Sequence, residues 1–163
     1  MAIHPNAQID GETGALTEAM LPPLAFPMGD IFVEDNSIPT FLGAGYTPVL
    51  GVTQLGVDWS FDQPQAGQLR YTGKGSRHFH AGASLSFTGG GQPVRFKLRK
   101  SGAGEIHGSL VEGRAPGQSV ESTAVHVMVE LAENDYLELV ASGSGNLTVL
   151  HYNLFAMSTP CRC

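Results

Sequence analysis

Residues 77–87, RHFHAGASLSF, alternate: Phe79, Ala81, Ala83, Leu85 and Phe87 share one side, and His78, His80, Gly82, Ser84 and Ser86 the other. In VRFKLRK, residues 94–100, Val94, Phe96 and Leu98 alternate with Arg95, Lys97 and Arg99. Successive side chains of a strand point to opposite faces, so a period of two predicts half-buried strands and excludes a helix. The residues between them, Thr88 to Pro93, include three consecutive glycines, which is hairpin-loop chemistry.

The same period locates the other strands. VLGVTQLGV (49–57) predicts one or two short strands broken by glycine. VDWSF (57–61) puts Val57, Trp59 and Phe61 on one face, and QLRYTG (68–73) leads into the central hairpin. EIHGSLV (105–111) reads as a strand, followed by a loop through EGRAPGQSVE. STAVHVMVEL (122–131) sets Thr123, Val125, Val127, Val129 and Leu131 against Ala124, His126, Met128 and Glu130. YLELVAS (136–142) and LTVLHYNLFAM (147–157) complete the set, the last with Thr148, Leu150, Tyr152, Leu154 and Ala156 on one side. Short strands with a turn after each predict an all-β, two-sheet jelly-roll sandwich of about ten antiparallel strands.

Residues 1–48 break the pattern. They hold six of the ten prolines, and proline lacks the donor that a central strand or helix needs. At most one helical turn, Thr17 to Met20, precedes Pro22. Yet Leu21, Leu24, Phe26, Met28, Ile31, Phe32, Val33, Ile38, Phe41 and Leu42 are too apolar for a tail left in water. The expectation is an extended N-terminal arm (1–48) lying on another surface, a β domain (49–157) and a short C-terminal tail (158–163).

The high counts of glycine (21) and proline (10) in 163 residues agree with one turn-rich β domain. No apolar run approaches the length of a membrane span, and MAIHPNAQID lacks the basic and apolar regions of a signal peptide. A chain made in and kept in a cytoplasm is therefore expected. Cys161 and Cys163, the only cysteines, sit in a lone C-x-C that makes neither a useful disulfide nor a zinc site. Charge is segregated: residues 1–69 carry eight Asp and Glu and no Lys or Arg, formally −8, whereas the rest is +2. So acidic a front half argues against nucleic acid as a partner.

The faces opposite the core are odd. Histidines, Ser, Met and Tyr stand where a solvated face carries Lys, Glu and Thr, which predicts a sheet covered by another copy of the chain. The succession Gly67-x-Leu69-x-Tyr71-Thr72-Gly73, Ala83 to Phe87, Val94 to Lys100, Ala124 to Leu139 and a closing Asn146-Leu147-Thr148-Val149 resembles the tumour-necrosis-factor/complement-globular-head jelly roll. More narrowly, it is similar to the versions on tailed-phage virions, in decoration (cement) proteins, head fibres and tail tips. The resemblance covers about residues 49–157 and implies a trimer with one sheet facing the three-fold axis. It places His78, His80, His126, Met128, Leu150, Tyr152 and Leu154 at or near subunit contacts.

Candidate chemistry is thin. His78-x-His80 with His126 has the residue types of a three-His metal set, but no Asp or Glu on that face is there to orient it, so the histidines are read as interface groups. GQSVE (117–121) is not a nucleophile elbow, and Gly73-x-Gly75 and Gly143-x-Gly145 lack the third glycine and helix of a phosphate loop. No catalytic, metal or cofactor residues are assigned, and an enzyme is not expected. The expectation is a structural virion protein on the capsid exterior, assembled in the host cytoplasm, whose partners are itself and the major capsid protein. The ten apolar arm residues named above would make the capsid contacts. The alternative is a head-fibre or tail-tip domain that recognises a host glycan or protein.

Overall fold

The computed structural model describes residues 26–89, 93–114 and 119–159. In chain order the strands are β1 (Met28–Val33), β2 (Thr40–Leu42), β3 (Thr47–Pro48), β4 (Gln54–Trp59), β5 (Phe61–Asp62), β6 (Gln68–Tyr71) and β7 (Arg77–Gly89). They continue as β8 (Val94–Lys100), β9 (Gly104–Glu105), β10 (Val111–Gly113), β11 (Glu121–Leu131), β12 (Tyr136–Ser142) and β13 (Gly145–Ser158). One sheet runs β11-β7-β13-β1-β4, with β2 added beside β13. The other runs β10-β8-β12-β6-β5, with β3 beside β12 and β9 beside β8. The expected all-β sandwich is the fold that forms.

The core is the set of inward positions that the alternation marked. Phe79, Ala81, Ala83, Leu85 and Phe87 of β7 are buried against Val94, Phe96 and Leu98 of β8 and Leu137 and Leu139 of β12. Phe87 and Phe96 meet edge to face with centroids 5.0 Å apart, and Phe61, Tyr71 and Phe79 form a second aromatic group at 5.0–5.4 Å. Each fully buried side chain of this size contributes about 1.5–3 kcal/mol.

Four sequence expectations change. First, the arm does not extend to residue 48. β1 lies inside the first sheet, paired with β13 on one side and β4 on the other, and its Ile31 and Val33 are buried in the domain's own core. Pro27, Pro39 and Pro48 sit at strand ends, where no ladder bond is lost; they divide the segment into strands without preventing them. Second, Trp59 and Phe61 do not share a side. Ser60 between them has φ 65°, and the chain passes from one sheet to the other, leaving Trp59 57 % exposed and Phe61 in the core.

Third, residues 105–111 are not one strand. β9 ends at Glu105, a 3-10 turn follows at His107–Ser109, and β10 starts at Val111. The Ser109 hydroxyl donates to the Ile106 carbonyl at 2.6 Å and accepts the Leu98 N–H at 2.9 Å, so a side chain replaces ladder bonds there. Fourth, β13 changes face partway along. Its register with β7 shifts between Val149 and His151, so Leu150 is an extra residue and the inward set becomes Leu147, Val149, Tyr152, Leu154 and Ala156. The last strand runs to Ser158, and Thr159 N–H donates to the His78 carbonyl at 3.0 Å. Leu21, Leu24, the turn at Thr17 to Met20, Cys161 and Cys163 lie outside the described residues.

Candidate oligomer interface

The outward face of the β11-β7-β13-β1-β4 sheet follows from register. Met128 pairs with His80, His80 with Met157, Met157 with Met28, and Met28 with Trp59. Directly paired residues share a face, so these five form one row across all five strands. Trp59, Met128 and Met157 are 57, 56 and 45 % exposed. One step along, His126, Gly82, Phe155 and Asp30 make a second row, and then Ala124, Ser84, Asn153, Phe32 and Gln54 a third.

Adjacent strands bring His80 and His126 into a stack, with centroids 5.4 Å apart and planes 17° from parallel. Phe155 stands edge-on to His80 at 5.7 Å. Gly82 makes the arrangement possible, because a Cβ there would come within 2.6 Å of His126 Nδ1 and 3.0 Å of Phe155 Cζ. The two imidazole planes face each other rather than converging on a point, which is not chelating geometry. Among the described residues no group of three or more His, Cys, Asp or Glu is placed to hold a metal ion.

Two polar features complete the face. Asp30 accepts the Val57 N–H and the Asn153 amide, each at 2.6 Å, which ties β1 to both neighbours. From the third row onward a shallow groove of about 640 Å³ runs over Ser84, Ser86, Ser122, His151, Asn153 and Phe32. No Lys or Arg occupies the outward positions of these rows, whereas β8 presents Arg95, Lys97 and Arg99 on the opposite sheet.

The expected contact residues divide accordingly. His80, His126 and Met128 lie together in the first two rows, His78 is at the exposed corner where β7 begins, and Leu150 is half-buried in the bulge. Tyr152 and Leu154 face the core and are corrected out of the set: they are 4 and 0 % exposed, because the extra residue at 150 turns the following side chains over. Burial, with the Glu138 charge second, pushes the Tyr152 phenol far above its ordinary range. Of the expected arm contacts, Ile31 and Val33 are core residues and Leu42 packs against the core. Met28 and Phe32 belong to the outward face, and Phe26, Ile38 and Phe41 are exposed. Trp59, Met28, Phe155 and Met157 enter the face unanticipated. For Phe155 and Met157 the signal was present in the alternation but inverted by the bulge.

No family model matches this sequence, and no curated protein matches it. Solved structures do share its architecture. The globular domain of a zebrafish complement 1qA protein aligns over 85 % of this chain and 99 % of its own, at TM-score 0.50 and 15 % identity. The Eiger TNF of S. frugiperda aligns over 82 % of this chain and 94 % of its own, at TM-score 0.54 and 8 % identity. At such identities the likeness is one of fold, and the fold is the C1q/TNF-like jelly roll.

Proposed function

We propose that this chain is a non-catalytic structural protein that assembles as a homotrimer through the β11-β7-β13-β1-β4 face and decorates the outside of a phage capsid. The observation that carries the oligomer is the row Met128, His80, Met157, Met28, Trp59. An antiparallel sheet that faces water alternates apolar-in with charged-out, and this row has no charged member. A second copy is the occupant that fits, since exposed apolar patches mark protein contacts and most soluble oligomers are symmetric assemblies of one chain. A trimer is also what the family resemblance implies.

Attachment to a capsid rests on the sequence before the first strand. That stretch holds Leu21 and Leu24 beside Asp10, Glu12 and Glu18, and no Lys or Arg. Three such arms per trimer would add avidity that one arm lacks. The major capsid protein is the proposed partner, and the capsid exterior the proposed location.

The test has two stages, both on the full chain. Sedimentation should give three times the chain mass, falling to one for Met128→Glu with Met157→Glu while the β circular-dichroism signal is retained. The trimer is then incubated with undecorated phage heads beside a Leu21→Asp, Leu24→Asp variant. Binding by the first and not the second supports the staple. A monomeric native protein would sink the oligomer reading, and trimers that ignore the heads would sink the attachment.

A further inference from the structure

Most cations in the described residues are already matched. Arg70 pairs with Asp62, Arg95 with Glu112, Arg99 with Glu138 and Lys100 with Asp135, and Lys97 lies over the Tyr46 ring at 4.8 Å. Lys74, Arg77 and Arg114 have no such partner among the described residues, in a chain whose net charge is −6. Lys74 and Arg77 line one pocket, of about 420 Å³, with His78, Ser76, Thr159 and Phe26. The nearest carboxylate by register, Glu130 opposite His78 on β11, is not part of its lining.

The backbone under this pocket is tied down. Thr159 donates both its N–H, at 3.0 Å, and its hydroxyl, at 3.3 Å, to the His78 carbonyl, and Ser158 N–H donates to the Pro27 carbonyl at 2.9 Å. These bonds hold the start of β7, the end of β13 and the residues before β1 against one another. The lining is thus assembled from three separate parts of the chain.

We propose that this pocket binds a carboxylated sugar of the uronate class. The Arg77 guanidinium matches a carboxylate in two-point geometry, and Lys74 adds a second charge beside it. The Ser76 and Thr159 hydroxyls offer donors and acceptors for sugar hydroxyls. Phe26, 41 % exposed, supplies an apolar surface for the C–H face of a pyranose. A bare inorganic anion would use the two cations and leave the aromatic and most of the volume unfilled. The site does not depend on the capsid reading and is tested on the free protein.

The experiment is a titration of the uniformly labelled full chain, following the Lys74, Ser76 and Arg77 amides by NMR. The probes are glucuronate, glucose, sulfate and N-acetylglutamate. Glucuronate should give saturable shifts at these residues with Kd on the order of 1 mM, and glucose none at the same concentrations. Lys74→Glu, a change at an exposed turn residue, should weaken glucuronate at least about tenfold, and Arg77→Ala likewise. Equal saturation by sulfate would reduce the site to an anion hole and overturn the sugar assignment. Tighter binding of N-acetylglutamate would reassign it to an acidic peptide. Should no probe shift these residues while Lys74→Glu lowers the melting temperature, the cations serve the chain's own carboxylates and the proposal falls.

Discussion

Asn36 closes over the bulge at Leu150: its N–H donates to the Leu150 carbonyl at 2.9 Å, and its amide donates to the neighbouring Val149 carbonyl at 2.8 Å. These carbonyls fall in the gap between the pairing of β13 with β2 and its pairing with β1, and Asn36, only 8 % exposed, satisfies one through its backbone N–H and the other through its side-chain amide. The same amide reaches the Leu50 carbonyl at 3.0 Å, so one residue joins three segments. Asn36→Ala should therefore cost about 1–3 kcal/mol, the penalty for buried groups left unpaired, read as a lower urea midpoint. Asn36→Asp, which sets an acceptor against those carbonyls, should cost more. Equal stability of the three proteins would mean that the bulge stands without this clamp.

The stack of His80 on His126, with centroids 5.4 Å apart, depends on the missing side chain of Gly82. A Cβ there would meet His126 Nδ1 at 2.6 Å and Phe155 Cζ at 3.0 Å, so Gly82→Ala must displace both rings on the outward face. On the trimer reading, Gly82→Ala should weaken the assembly, read as a loss of the trimer mass at a protein concentration where the native chain keeps it. An unchanged mass profile in Gly82→Ala would remove the stacked rings from the interface.

Glu138 is the most deeply placed carboxylate of the second sheet, at 4 % exposure. It accepts from the Arg99 guanidinium through Nε at 3.1 Å and through Nη2, and from the Gln68 amide at 3.0 Å. Removing one partner of a buried pair leaves an uncompensated charge. Arg99→Ala should cost about 3–5 kcal/mol, whereas replacing both partners, Arg99→Met with Glu138→Leu, should cost much less. Chemical denaturation of the two variants gives the comparison, and equal losses would contradict it.

Asp135 carries a pH dependence of its own. Burial would raise its pKa, but the Lys100 ammonium, the Ala132 N–H and the Ser101 hydroxyl together outweigh burial, and the carboxyl lies below its ordinary range. The folded pKa is thus below the unfolded one. Its contribution is present above the ordinary carboxylate pKa, about 3.9, and is lost as pH falls through the lowered folded value. Stability should drop on acidification below about pH 4, and Asp135→Asn should flatten that part of the curve at the expense of stability at pH 7. An unaltered acid limb in Asp135→Asn would assign the loss to other carboxylates.

The strands with clean alternation were legible in the sequence. In β7, β8 and β11 the inward set named from alternation alone is the buried or more buried set in the structure, because one buried face per strand is enough to impose a period of two. His80, His126 and Met128 were legible for the same reason. What tertiary structure alone decided is the parity of β13 and the place of β1. One inserted residue at 150, clamped by Asn36 from 114 positions earlier in the chain, exchanged Tyr152 and Leu154 for Asn153 and Phe155 on the outward face. Nothing local to residues 147–157 encodes that exchange, since a bulge depends on the partner strand and on who satisfies the carbonyls beside it. β1 was hidden by its prolines, whose local cost is real but falls at strand ends. Its slot between β13 and β4 exists only once the other strands have paired.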